Sequence, residues 1–343
     1  MCQEKNLGTN NFWQLGAANS QCSTIMNLKK ALALSCNITT MPQFRSVKRI
    51  MLKPSAHWVG NAFNVFPVFA DLAFKEELSP LLMFDYAAPK KFGPKAGQPR
   101  GVGQHPHRGF ETVTIAFQGE VEHHDNKGGS GVIGPGDVQW MTAGRGIVHE
   151  EYHSKDFTQE GGIFEMCQLW VNLPKKHKMT KPRYQPILKD KIPIVTLPLE
   201  VPEEETLATV RLIAGEMNNT KGAANTFSPV QMYEVILPNI GAEVDIPFPS
   251  EHNCIVFVRR GGVKVLSGED GKGKTSQLGP QDVALMHIDG SDSLRVHVDK
   301  PNTSLLIMGG EPLDEPIASQ GPFVMNTFDE IRKAITDYRS GRF

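Results

Sequence analysis

From His105 to Glu151 the chain carries β-type residues and Gly- and Pro-rich turns, with no periodicity that a helix could use. The stretch opens His105-Pro106-His107-Arg108-Gly109-Phe110-Glu111 and closes Gly146-Ile147-Val148-His149-Glu150-Glu151. In a strand, side chains at i and i+2 point to one face. His105 and His107 can therefore aim two imidazoles at one point. Pro106 between them lacks a ladder donor, which places the segment at a sheet edge or a strand start. By the same arithmetic His149 and Glu151 share a face and Glu150 points to the other. Two such pairs converging inside a small barrel supply three nitrogens and one carboxylate. That donor set suits iron, manganese, nickel or copper better than magnesium or calcium. Glu111, four residues after His107, is a second candidate for the carboxylate position.

The flanking sequence reads as more of the same architecture. Val47–Met51 alternates like a half-buried first strand, Leu81–Tyr86 like a buried one, and 163–174 like a long strand closing a first barrel. Ala88–Gly101 satisfies every Gly/Pro criterion for a loop. His123 and His124 sit beside a turn and are expected at the surface or behind the ligands, while His153 would share a strand face with Glu151. Gln168 and Trp170 fit either a cavity or a core. Gly261–Val265 and Leu278–Leu285 repeat the turn-and-strand pattern of the first unit without its chemistry, so His252, His287 and His297 are expected to be structural. Asn326–Ile331 reads as a cap entering a short helix whose apolar face is Phe328, Ile331 and Ile335.

The runs HPHRGFETVT, GVIGPGDVQWMTAGRGIVHEE, LIAGE and GPFVMNTFDEI resemble the pirin family of two-domain bicupins over about Phe44 to Phe343. The resemblance implies an all-β fold of two antiparallel, jelly-roll-like cupin barrels face to face, with a short C-terminal helix. It implies one iron in the first barrel, held by His105, His107, His149 and Glu151. The residue matching Glu111 is not a ligand in the family. Tyr152-His153 stands where the family usually has Met-Pro. Two functions follow as expectations. One is a quercetin 2,3-dioxygenase-like enzyme that cleaves a flavonol with O2, with Glu151 or Glu111 as proton acceptor. The other is a redox-sensitive co-regulator that binds a transcription factor.

Length and composition bound the rest. At 343 residues the chain can hold two domains: a metal-binding unit over 43–174 and a metal-free unit over 204–343, joined by a Lys- and Pro-rich crossover over 175–203. Residues 1–42 read as a disordered extension or an upstream start. A net charge of −1 leaves no footprint for direct nucleic-acid binding. Five cysteines without a C-x-x-C point to a reducing compartment, cytoplasmic or nuclear. No apolar run is long enough to span a membrane. A monomer is expected.

Overall fold

The computed structural model describes residues 43–51, 53–70, 75–200 and 207–343. The extension expected over 1–42 lies outside them. The β-rich patterning condenses into two barrels of matching design, each a seven-stranded sheet curled over a four-stranded one. In the first barrel the seven-stranded sheet runs, by strand, Arg183–Ile187, Val138–Thr142, Phe110–Gln118, Gly162–Asn172, Leu81–Phe92, Phe63–Phe69 and His57–Val59. Its four-stranded sheet runs Gly101–His107, Ile147–His153, Val121–Asp125 and Ser130–Ile133. No helix among the described residues is long and apolar enough to cross a membrane.

Alternation along each strand sorts side chains between two environments. On the seven-stranded sheet of the first barrel, Val113, Ile115, Val138, Trp140, Cys167 and Leu169 join a core with Met232, Ile255, Phe257, Leu306 and Met308 of the second barrel. The two large sheets therefore pack face to face, with the Phe84 and Tyr86 rings each 4.9 Å from Phe257. The interior of the second barrel is filled by Val210, Leu212, Val235, Val256, Ile307 and their neighbours. Among the described residues, the group of His, Cys, Asp or Glu side chains close enough to hold a metal lies in the first barrel.

Two edge strands cross the divisions expected from sequence. Val47–Met51 pairs with Val283–Met286 and so belongs to the second barrel. Arg183–Ile187, within the expected crossover, pairs with Val138–Thr142 and completes the first. An uncovered strand edge leaves backbone groups unpaired, and each exchange covers one. Arg45 anchors the first: it is fully buried, and its guanidinium donates to the carbonyls of Ser291, His252 and Pro249.

Two local expectations need correction. The Ala88–Gly101 segment is not all loop, because strand Leu81–Phe92 continues to Phe92 against Gly162. Pro89 is accommodated where the register slips between Ala87–Met166 and Lys90–Phe164, a bulge that spares the missing N–H. The C-terminal helix, Phe328–Arg339, is capped by Thr327 in a capping box with Glu330. It buries Ile331, Ala334 and Asp337, while Phe328 is 63% exposed. The buried face includes an aspartate because Asp337 has a partner on the first barrel, described below.

Candidate metal centre

The chain passes from one sheet to the other at Arg108–Gly109, between strands Gly101–His107 and Phe110–Gln118. Gly109 takes φ of 90°, and a Cβ there would lie 1.9 Å from the Val324 carbonyl oxygen, so only glycine fits the corner. His105 sits directly opposite His149 across the antiparallel pair. Along Ile147–His153 the odd-numbered residues are buried and the even ones partly exposed. His149, Glu151 and His153 therefore face inward.

His105, His107 and His149 offer nitrogen atoms that all lie within 4.8 Å of one another. Their rings are 4.3–4.9 Å apart between centroids. Nδ1 of His105 is 2.9 Å from the Gly103 carbonyl oxygen, which can only accept, so that nitrogen carries the proton and Nε2 stays bare. Burial pushes the imidazoles of His107 and His149 well below the ordinary range, and the neighbouring imidazoles push the same way. Both are neutral, as ligands must be. Both ring nitrogens of His149 and Nδ1 of His107 are buried without a hydrogen-bond partner. Buried polar atoms are normally satisfied, and one cation among the three rings would take one nitrogen from each, including one of the two on His149. The donor set fits a transition metal.

Glu151 lies outside that three-donor cluster but beside it, 5% exposed. Burial raises its pKa, while the nearby His105 imidazole and a hydrogen bond from Gln168 pull the other way. Gln168 Nε2 donates to both carboxylate oxygens, at 3.0 and 3.1 Å. One amide thus fixes the carboxylate's orientation.

Glu111 is on the other side of the sheet. Phe110, whose ring is 5.1 Å from that of His107, and Thr114, which accepts from Gln168 at 3.3 Å, mark the metal face. Glu111 has the opposite parity and sits with Val113 and Ile115 toward the second barrel. There it accepts from Thr142 Oγ1 at 2.6 Å, and burial pushes its carboxyl up to about 7. The structure does not bring it to the histidines.

His123 is deeper than a surface residue. It pairs in register with Glu151, is 5% exposed and stacks on Tyr184 at 5.0 Å. Burial lowers its pKa to about 4. His153 points away from the cluster into Phe63, Phe92, Phe157 and Phe164, with ring centroids 4.4–5.9 Å from its own. Tyr184 could not be read as an interior residue from sequence, since its strand lies in a segment that reads as a linker.

A protein of two cupin barrels, the first carrying three clustered histidines able to hold a metal, is a bicupin with a candidate metal centre. Family comparison agrees: residues 62–171 match the pirin model and residues 233–343 the pirin C-terminal cupin domain. A Pseudomonas aeruginosa protein named "Putative quercetin 2,3-dioxygenase" is 48% identical over 288 residues, covering 84% of this chain and 94% of the relative. Human pirin is 36% identical over 269 residues, covering 78% and 83%. The crystal structure of an Acinetobacter baumannii quercetin 2,3-dioxygenase aligns with a TM-score of 0.79 at 43% identity, covering 88% and 98%. The chain belongs to the pirin family.

Proposed function

We propose that the first barrel holds one iron through His105, His107, His149 and Glu151 and cleaves a flavonol with O2, as a quercetin 2,3-dioxygenase. The observation that carries this reading is the contrast between the two interiors. In the first barrel, three neutral imidazoles with unsatisfied nitrogens share the interior with a carboxylate held by Gln168. Gln168 and Trp170 are only half-buried there, although their strand neighbours Cys167, Leu169 and Val171 are sealed on the other face. Solvent, and by the same route a small molecule, reaches the metal face. Two relatives named for quercetin dioxygenation, from Pseudomonas aeruginosa and Acinetobacter baumannii, share 48% and 43% identity with this chain.

An iron held there by His105, His107, His149 and Glu151 would supply the redox and Lewis-acid chemistry that O2-dependent cleavage of a flavonol needs. The chain supplies the rest. Glu151, with proton affinity raised by burial, is placed to take the proton of the flavonol hydroxyl. Gln168 holds that carboxylate toward the histidines. Glu111 takes no part, because it faces the second barrel. Oxygen consumption by iron-loaded protein with quercetin is the test: saturable uptake, abolished by His149→Ala, is expected. No uptake by protein carrying one iron per chain would reject the reading.

A second reading, a redox-sensitive co-regulator that binds a transcription factor, is favoured by one contact. Arg108, next to His107, bonds to Asp337 on the C-terminal helix, so a change at the metal has a covalent and ionic path to the surface. Partner affinity that differs between ferrous and ferric protein, without flavonol turnover, would favour it.

A further inference from the structure

Strand register sets a polar row across the interior wall of the first barrel. Gln139 pairs with Thr114, and Thr114 pairs with Gln168 on its other side. Side chains in register on adjacent strands share a face. Gln139, Thr114 and Gln168 thus line one wall, and Gln168 hands on to Glu151. The partners along the row are settled at one end. Gln168 Nε2 bonds to Thr114 Oγ1 and to Glu151. At the other end they are not: Gln139 is 4% exposed, and its amide nitrogen is buried without a partner. Parity confirms the direction. Val138 and Trp140, on either side of it, belong to the core between the barrels, so Gln139 points inward.

A buried amide donor left open beside a metal-binding wall calls for an acceptor that arrives from outside. We propose that Gln139 is a substrate-recognition residue, whose amide N–H donates to an oxygen on the far end of a molecule held at the metal. The proposal rests on the reading of the first barrel as a flavonol site, and it refines the substrate class. Gln139 stands two strand spacings from Gln168, roughly 10 Å. A single oxygenated ring bound at the histidines falls short of it. A fused or linked planar aromatic with an oxygen substituent on its distal ring reaches it. Met141, in line with Thr112 and Trp170 in the next row, gives that ring an apolar surface.

The test compares two ligands on iron-loaded protein without O2, following the flavonol's visible absorption as it binds. Quercetin carries distal-ring hydroxyls and 3-hydroxyflavone does not. Wild type is expected to prefer quercetin, and Gln139→Leu to lose that preference by about tenfold, the worth of one hydrogen bond, while keeping full iron content. Gln139→Met serves as a second apolar replacement should the leucine variant not fold. Unchanged quercetin affinity in the variant overturns the proposal. So does equal weakening of both ligands, which would mark Gln139 as a packing residue. Failure of iron-loaded wild type to bind either flavonol removes the functional reading, and this proposal with it. Binding by wild type that is blind to the substitution removes the proposal alone.

Discussion

Arg108 and Asp337 meet at 2.9 Å across 229 residues of sequence, with both side chains under 10% exposed. Arg108 also donates through Nε to the Arg145 carbonyl at 2.7 Å and stacks 4.3 Å over the Phe343 ring. The C-terminal helix therefore grips the residue that follows His107, one of the three clustered histidines. Hydrogen bonds from Arg108 and Arg342 lower the Asp337 carboxyl to about 2.

A depressed carboxyl stabilises the fold above its unfolded value, about 3.9, and that contribution is lost as pH falls toward 2. Asp337→Asn should thus lower stability at neutral pH by about 2 kcal/mol, less than the roughly 3–5 kcal/mol of breaking a fully buried pair, because Arg342 and Lys333 open its far side to solvent. The deficit relative to wild type should shrink between pH 4 and pH 2. Urea unfolding at several pH values checks both.

Glu151, Gln168 and Glu111 should separate cleanly in metal titrations. Glu151→Gln and Gln168→Leu should each weaken metal affinity, the latter by about 10–100-fold through loss of carboxylate orientation. Glu111→Gln should leave affinity unchanged. Its carboxyl has a raised pKa in the fold, so its ionisation costs stability as pH rises through about 7. The glutamine variant should accordingly be more stable than wild type above pH 7. A loss of metal in Glu111→Gln would place that side chain on the wrong face.

Purified protein should carry about one metal per chain, and His105→Ala with His107→Ala should remove it. The metal-free form should also lose stability as pH falls below 6.5. Unfolded histidines take up protons there, whereas His123 and His153 resist until about 4, both because of burial. Thermal melts of the apoprotein from pH 7.5 to 4.5 should show the fall, and a flat profile would contradict it.

Lys178 is buried and donates to Gly109 O at 2.8 Å, Asn172 Oδ1 at 2.7 Å and Val324 O at 3.0 Å. Lys178→Met should cost about 2–4 kcal/mol, since three buried acceptors lose their donor at once. Because Gly109 forms the corner after His107, metal affinity should fall with it. Chelator competition on the folded variant measures the second effect.

How much of this was legible depended on whether a residue's face could be counted along one strand. His149, Glu150 and Glu151 lie on one strand, and counting by two assigns their sides. Counting by two also puts Glu111 with His105 and His107, and that count fails at Gly109, where the chain leaves one sheet for the other. Nothing local to Glu111 reports the change of sheet. Gln139 looked like any strand residue, because its meaning lies in Thr114 and Gln168 on two other strands. The burial of Asp337 could not be read along its own helix because its partner lies 229 residues away. The edge strands were misplaced for the same reason: pairing partners of an edge are set by topology, while sequence pattern reports only that a strand exists.

The exchanged edges have a consequence for how the chain assembles. Val47–Met51 is made early yet finds its place only against Val283–Met286, so it must wait for more than two-thirds of the chain. Contacts that distant slow folding, since the loop must close before the pairing rewards it. The second barrel is not a contiguous piece of chain, because the whole first barrel lies between Val47–Met51 and its other strands, and a cut in the crossover before Arg183 would yield two fragments that each lack a strand the other holds. Such halves would remain clasped rather than drift apart as free domains. The strand made first is thus among the last to be placed, and the barrel it completes closes around a neighbour whose own strands are already all made.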